Sequence, residues 1–294
     1  MESGRDTAAG RYRLLERIVP DGESWLAEDL REPGERVVAK VLPETADVIA
    51  ARHAAESAAL LNSKALNVPV DDGETEEGRP FLVYRWVDGT SLRLLLNETG
   101  PLPFGRAANL IVQLGAAVAA LHERSMVHGA IAPDHIVVQR QGSAERLILL
   151  NVGAFRVSGQ TSVSPAYLAP EQLAGNPGPA SDLWSIATVA AEILTGRRAF
   201  RYGSPSDLEH MQKRGLPRGS FRKLRAKLPV RAEDELRRAL SYDPMGRPAD
   251  VEAFTARLAE ALGGIRGVSR RRLATGGLIL AALAALATRN CRRR

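Results

Sequence analysis

Apolar residues alternate with polar ones along the first part of the chain and recur at helical spacing along the rest. Between residues 11 and 42, "YRLLERI", "SWLAED" and "RVVAKVL" have strand character and are separated by turns bearing Pro and Gly. Residues 46–62 are rich in Ala, with Ile49, His53, Glu56 and Leu60 at helical steps, which predicts one helix. "PFLVYRW" predicts a further strand and "VDGTSL" the turn after it. From residue 104 the period lengthens, and Leu110, Ile111, Leu114, Val118 and Leu121 share one helix face. Two short apolar strands follow, "HIVV" and "LILL". Helical patterns resume around 181–195, 232–240 and 250–262, the last with Asp250 as N-cap. A small β-rich part followed by a larger helical part predicts an α+β fold of two lobes. Their expected bounds are 11–86 and 87–263, after a flexible N-terminus at 1–10.

Beyond residue 263 the pattern changes. A basic linker at 264–272 leads into Leu273–Thr288, sixteen residues without a charge, and a basic tail closes the chain at 289–294. As a helix this run would be ~24 Å long, short of the ~30 Å hydrocarbon core. Flanking Arg side chains can make up the difference by reaching toward the headgroups. The two lobes leave no core for the run to fill, so the expectation is a single transmembrane helix. The N-terminus has no apolar signal region, which puts the folded part on the cytoplasmic side.

Charge is distributed just as unevenly. The net +6 comes from the tail, since eight Arg and no acid lie from Arg266 onward. Those eight taken from 40 basic residues leave 32 against 34 acidic, or −2 for the rest. A near-neutral folded part argues against nucleic acid as partner. Cys291 is the single cysteine, which excludes an intrachain disulfide. The stretch "KRGLPRGSFRKLRAK" (213–227) holds seven bases and no acid. It reads as a solvated face or as a docking patch for an acidic partner or a membrane surface.

A series of motifs then lines up in order: "VVAK" (37–40), Glu56 in the following helix, "FLVYRWVDGTSL", "HGAIAPDH" (128–135), "NVG" (151–153), "YLAPEQL", "SDLWSIATVAAEILTG" and "DPMGRP". From Gly10 to Gly263 the chain resembles the protein-kinase family, most closely the bacterial Ser/Thr kinases of the eukaryotic-like type. The resemblance implies Lys40 and Glu56 as the nucleotide clamp. It implies Glu171 and Arg247 as an ion pair under the activation segment, and Asp182 as the residue that holds the catalytic-loop backbone. It puts His128 and Leu60 at spine positions, and Val152 in place of a Phe there.

The departures from the family pattern are concentrated on the chemistry. The catalytic Asp position is Ala130, the phosphate-steadying Lys is Ala132, and the two metal-holding positions are His135 and Asn151. A hard cation wants anionic or carbonyl oxygen, and His135 is the wrong type for Mg²⁺. The loop "IVPDGESWL" keeps only Gly22 of the family's three glycines, is about two residues short, and has Pro20 without an N–H. Ser24 stands where a Val would roof the adenine, while Val38 and the gatekeeper Tyr84 narrow the cleft. Gly129 replaces the Arg that would receive a phosphate from "VSGQTSVSP".

These features predict a membrane-tethered pseudokinase, a binding or allosteric scaffold without phosphotransfer, held by residues 273–288 and acting on a protein partner. No cofactor or metal is expected, and any ATP binding would be weak and metal-independent. The alternatives are a nucleotide-binding sensor and an atypical kinase with residual transferase activity, for which Asp134 is the one carboxylate near the loop.

Overall fold

The computed structural model describes residues 11–18, 23–46, 48–61, 63–155, 163–201, 203–216 and 228–263. The sequence expectations for the loop at 19–22, for 156–162, for 217–227 and for 273–288 lie outside them. The N-terminal lobe is an antiparallel sheet in the order β1-β2-β3-β5-β4. Its strands are β1 (Tyr12–Arg17), β2 (Ser24–Asp29), β3 (Arg36–Val41), β4 (Pro69–Glu74) and β5 (Pro80–Arg85). One face buries Tyr12, Ala27, Val37, Ala39, Phe81 and Val83. The other receives α1 (Val48–Ala59), which presents Ala51 and Ala55 to Leu42, Leu82 and Tyr84.

β4 is an acidic strand that no propensity rule finds. Its partners explain it: Asp71 accepts from the Tyr12 hydroxyl at 2.5 Å and from Arg11 at 2.6 Å, while Arg11 also forks onto buried Asp29.

The C-terminal lobe is built around α3 (Phe104–His122) and α5 (Pro179–Thr195), with α2 (Leu92–Thr99), α4 (Pro170–Leu173), α6 (Pro205–Arg214), α7 (Val230–Ala239) and α8 (Val251–Ala261) around them. A small sheet of β6 (Thr90–Ser91), β7 (Ile136–Gln141) and β8 (Ala144–Leu149) carries the loops that face the N-lobe. Every residue of α5 from Ser181 to Thr195 is buried, so its polarity pattern carries no surface stripe. α3 crosses α8 so closely that a Cβ at Gly115 would lie 2.1 Å from the Thr255 hydroxyl. Asp250 caps α8 as expected, accepting from the Ala253 N–H at 2.7 Å. Among the described residues α3 is the one helix long and apolar enough to cross a membrane. It packs on α5 and α8, and burial accounts for its composition.

Candidate functional site

The cleft-facing row of the N-lobe sheet follows from register. Ser24 lies opposite Lys40 and Leu26 opposite Val38, and these pair in turn with Leu82 and Tyr84. Since cross-strand partners share a face, the apolar residue beside Val38 is Leu26, and Ser24 belongs with Lys40. Tyr84 is fully buried, and its hydroxyl donates to the Val152 carbonyl at 3.0 Å. The two lobes are thereby joined at the back of the cleft by a side chain that also fills it.

The expected Lys40–Glu56 clamp is not formed. Glu56 is exposed and has no ion pair with Lys40. The reason is helical phase: α1 turns Ala51, Ala54, Ala55 and Ala58 inward, and Glu56 lies about 200° round from Ala54. The residue facing the "NVG" loop is Ala54, whose Cβ and carbonyl are within 4 Å of where a Cβ on Gly153 would stand. The same two-residue offset corrects the spine expectation: Leu60 is 66% exposed, and Ala58, fully buried, lies in the core. Lys40 is therefore a cation without a carboxylate on the helix. Burial pulls its pKa down, opposed only by the charge of Glu23, which is itself paired with Arg79 at 3.2 Å.

Across the cleft, the loop after α3 is tied down through His128, Gly129, Ala130 and His135. Asp182, at the start of α5, accepts from the N–H groups of His128 and Gly129, both at 2.8 Å, and faces His122 Nε2 at 2.9 Å. His128 Nε2 donates to the Leu150 carbonyl at 2.8 Å, and its Nδ1 accepts from the Ala130 N–H at 3.2 Å. One donor and one acceptor define a neutral ring, in keeping with the downward pull of burial on its pKa. His135 Nδ1 donates to the Ala130 carbonyl at 2.8 Å. Burial, helped by the charge of Lys40, holds His135 down to a pKa of about 4, so it is neutral at pH 7. Ala130 and Ala132, 6% and 0% exposed, belong to the main hydrophobic core together with Val152. Asn151 adopts a left-handed backbone, φ 62°, which Asn tolerates better than most residues.

Two residues that sequence reasoning passed over complete this region. Gln172 donates to the Gly129 carbonyl at 2.6 Å. The ring of Phe155 lies against Gly129 so closely that a Cβ there would be 2.1 Å from it. Gly129 also has φ 69°, so both the space and the backbone at this position favour Gly.

Beneath the segment 163–173 lie two ionic clusters. Arg247 forks onto Glu171 at 2.6 and 2.8 Å, binds the carbonyls of Ala180, Ser241 and Tyr242, and packs over Trp184, 4.9 Å from its centroid. Its side chain is 0% exposed and that of Glu171 18%, so the expected pair is formed in the interior. Burial works to raise the Glu171 pKa, but the hydrogen bonds from Arg247 and the Ser181 hydroxyl outweigh it and hold the carboxyl down. The second cluster went unread in the sequence. Arg93 donates to Glu192 at 2.7 Å and to the Tyr167 hydroxyl, which in turn donates to Glu192 at 2.6 Å. Arg93 also meets exposed Asp134 at 3.4 Å.

Residues 31–257 match the family model described as "Protein kinase domain". The chain belongs to the protein kinase family. The match begins at Arg31, after β1 and β2, between which the family's Gly-rich loop would lie. Among relatives, the chain is 27% identical over 275 residues to the serine/threonine-protein kinase pkn3 of Myxococcus xanthus, covering 86% of this chain and 50% of that protein. It is 30% identical over 215 residues to PknL of Mycobacterium tuberculosis, covering 69% and 52%. It is 33% identical over 213 residues to PknA of the same organism, covering 66% and 49%. The chain thus spans about half the length of these curated relatives. Among solved structures it resembles Rad53 residues 1–466 in complex with AMP-PNP, with TM-score 0.70 at 18% identity, covering 85% of this chain and 65% of that one. That likeness shows the fold: a β-rich N-lobe and a helical C-lobe.

Within that kinase fold, four of the residues named from the family resemblance hold backbone or pair in the interior. His128, Glu171, Asp182 and Arg247 are all buried or paired as a scaffold requires. Among the described residues, the positions that the family resemblance gives to the chemistry are Lys40, Ala130, Ala132, His135 and Asn151.

Proposed function

We propose that this protein kinase family member is a pseudokinase: a scaffold of binding or allosteric function, tethered to a membrane, that does not transfer phosphate. The single observation that carries the reading is the burial of Ala130 and Ala132 in the hydrophobic core, in the loop where the family's chemistry would sit. Neither side chain can take a proton or meet a phosphate.

The residues present do not fit a metal-bound nucleotide. The two positions that the family resemblance gives to metal offer a neutral carboxamide at Asn151 and an imidazole at His135 whose Nδ1 already serves the Ala130 carbonyl. Hard cations select oxygen, preferably anionic. The carboxylates that act on Lys40 and His135 are Glu23, paired with Arg79, and Asp134, paired with Arg93. Among the described residues no three His, Cys, Asp or Glu side chains gather as a cation site would need.

Thermal unfolding with ATP tests the nucleotide side of this reading. A ligand present at its own dissociation constant stabilises by only about 0.4 kcal/mol, or roughly 1 °C for a domain of this size. With roughly 1 mM ATP, with or without Mg²⁺, the expected shift is no larger than that. A larger shift without metal would favour a nucleotide sensor, and one that needs Mg²⁺ would favour an atypical transferase.

The membrane side of the proposal rests on the uncharged run at 273–288 between Arg clusters. Apolar burial drives insertion, and the clusters add roughly 1 kcal/mol per charge near an anionic surface. Full-length protein fractionated from its host should pellet with membranes, resist salt and alkaline carbonate, and be released by detergent. A chain lacking residues 270–294 should stay in the supernatant. Full-length protein found soluble at low salt would end the membrane reading.

A further inference from the structure

A second groove lies on the C-terminal lobe, lined by none of the loop residues described above. It lies between the end of α6 and the end of α7, encloses about 560 Å³, and has Leu216, Leu240 and Tyr242 among its lining residues. Four cations line it: Lys213, Arg214, Arg237 and Arg238. Two are engaged. Lys213 pairs with Glu209 at 2.7 Å and sits 5.9 Å from the Tyr242 ring centroid, while Arg237 donates to the Leu216 carbonyl at 3.1 Å and meets Asp234 at 3.8 Å. Arg214 and Arg238 are exposed and have no ionic partner among the described residues. The sequence that continues from Leu216 keeps the same sign.

We propose that this groove docks an acidic peptide segment of a protein partner, one in which Asp or Glu alternates with apolar residues. A guanidinium offers a planar fork that matches a carboxylate, and two such forks stand here without an ionic partner among the described residues. The lining gives an intervening apolar side chain somewhere to lie, against Tyr242 and Leu216. Asp234 and Asp243 also line the groove, which disfavours a dense polyanion and favours separated single charges. Nucleic acid is a poorer match for a further reason, because the sequence before Arg266 is near neutral as a whole.

The test uses full-length protein in detergent without nucleotide, so its failure would leave the phosphotransfer reading untouched. The probe is a fluorescent ten-residue peptide of alternating Glu and Leu, compared with its Gln-for-Glu counterpart. Saturable binding of the Glu peptide alone is expected. It should weaken about tenfold in Arg214→Gln/Arg238→Gln, the size of two exposed ion pairs lost, and stay unchanged in Arg124→Gln, which lies outside the groove. Equal binding of both peptides, equal loss in Arg124→Gln, or no binding would overturn the proposal. So would a response of the double variant seen only with phosphatidylglycerol vesicles. Self-association that the double variant abolishes, without peptide binding, would assign the groove to an acidic segment of a second copy and also overturn it.

Discussion

Arg247→Ala should lower the melting temperature by about 10 °C, and Lys40→Ala should lower it hardly at all. Arg247 is enclosed by Glu171, three carbonyls and the face of Trp184, with no exposed side-chain surface. Truncating it leaves the Glu171 carboxylate largely buried with no cation beside it, held by the Ser181 hydroxyl and its own backbone N–H. Breaking a buried pair from one side costs about 3–5 kcal/mol, and each kcal/mol is worth roughly 2–4 °C in a domain of this size. Lys40 has the opposite balance: its charge is disfavoured by burial and attracted only by Glu23, so its removal relieves as much as it takes away.

The pH dependence has a definite sign. The Glu171 carboxyl is held below its ordinary value in the fold, so the pair's stability is present above the unfolded pKa of about 4.3 and is lost as pH falls through the folded value. Arg247→Ala should lose that part of the acid limb. Differential scanning of the two variants and the parent at pH 7 and across the acid range measures both effects. Equal melting temperatures would show that the Glu171–Arg247 pair contributes nothing to the fold.

The strands β1, β2 and β3 and the helices α3, α7 and α8 could be read from the chain by the spacing of their apolar residues, while β5 and α5, buried on all sides, were legible as continuous apolar runs of strand and helix length. α1 shows where that fails. Its alanines fall on every side, so no hydrophobic stripe marks the buried face, and the one Glu in the segment drew the clamp to the wrong side of the helix. Packing against Leu82 and Tyr84 sets the phase instead. β4 was illegible because Asp71 is held by Arg11 and Tyr12, residues far away in sequence.

The retained scaffold residues were legible, since His128, Glu171, Asp182 and Arg247 lie in motifs with fixed neighbours. The contacts between distant segments around them were not. The Tyr84–Val152 bond, Phe155 on Gly129 and the Arg93–Tyr167–Glu192 cluster each join distant segments through side chains with no local pattern to announce them.

Phosphate transfer is where the account is most exposed. In the family an Asp accepts the substrate hydroxyl proton and metal ions bridge the phosphates. Loss of a positioned general base alone costs about 10²–10⁴-fold, and loss of the metal-holding side chains removes most of what remains, though such losses do not simply multiply. Ala130, Ala132, His135 and Asn151 together should bring turnover below detection. The direct measurement is incorporation of γ-labelled phosphate from ATP by the full-length protein, into itself and into a generic protein substrate, with Mg²⁺ and with Mn²⁺. The account predicts no incorporation above that of Lys40→Ala. Clear incorporation that Lys40→Ala abolishes would contradict it.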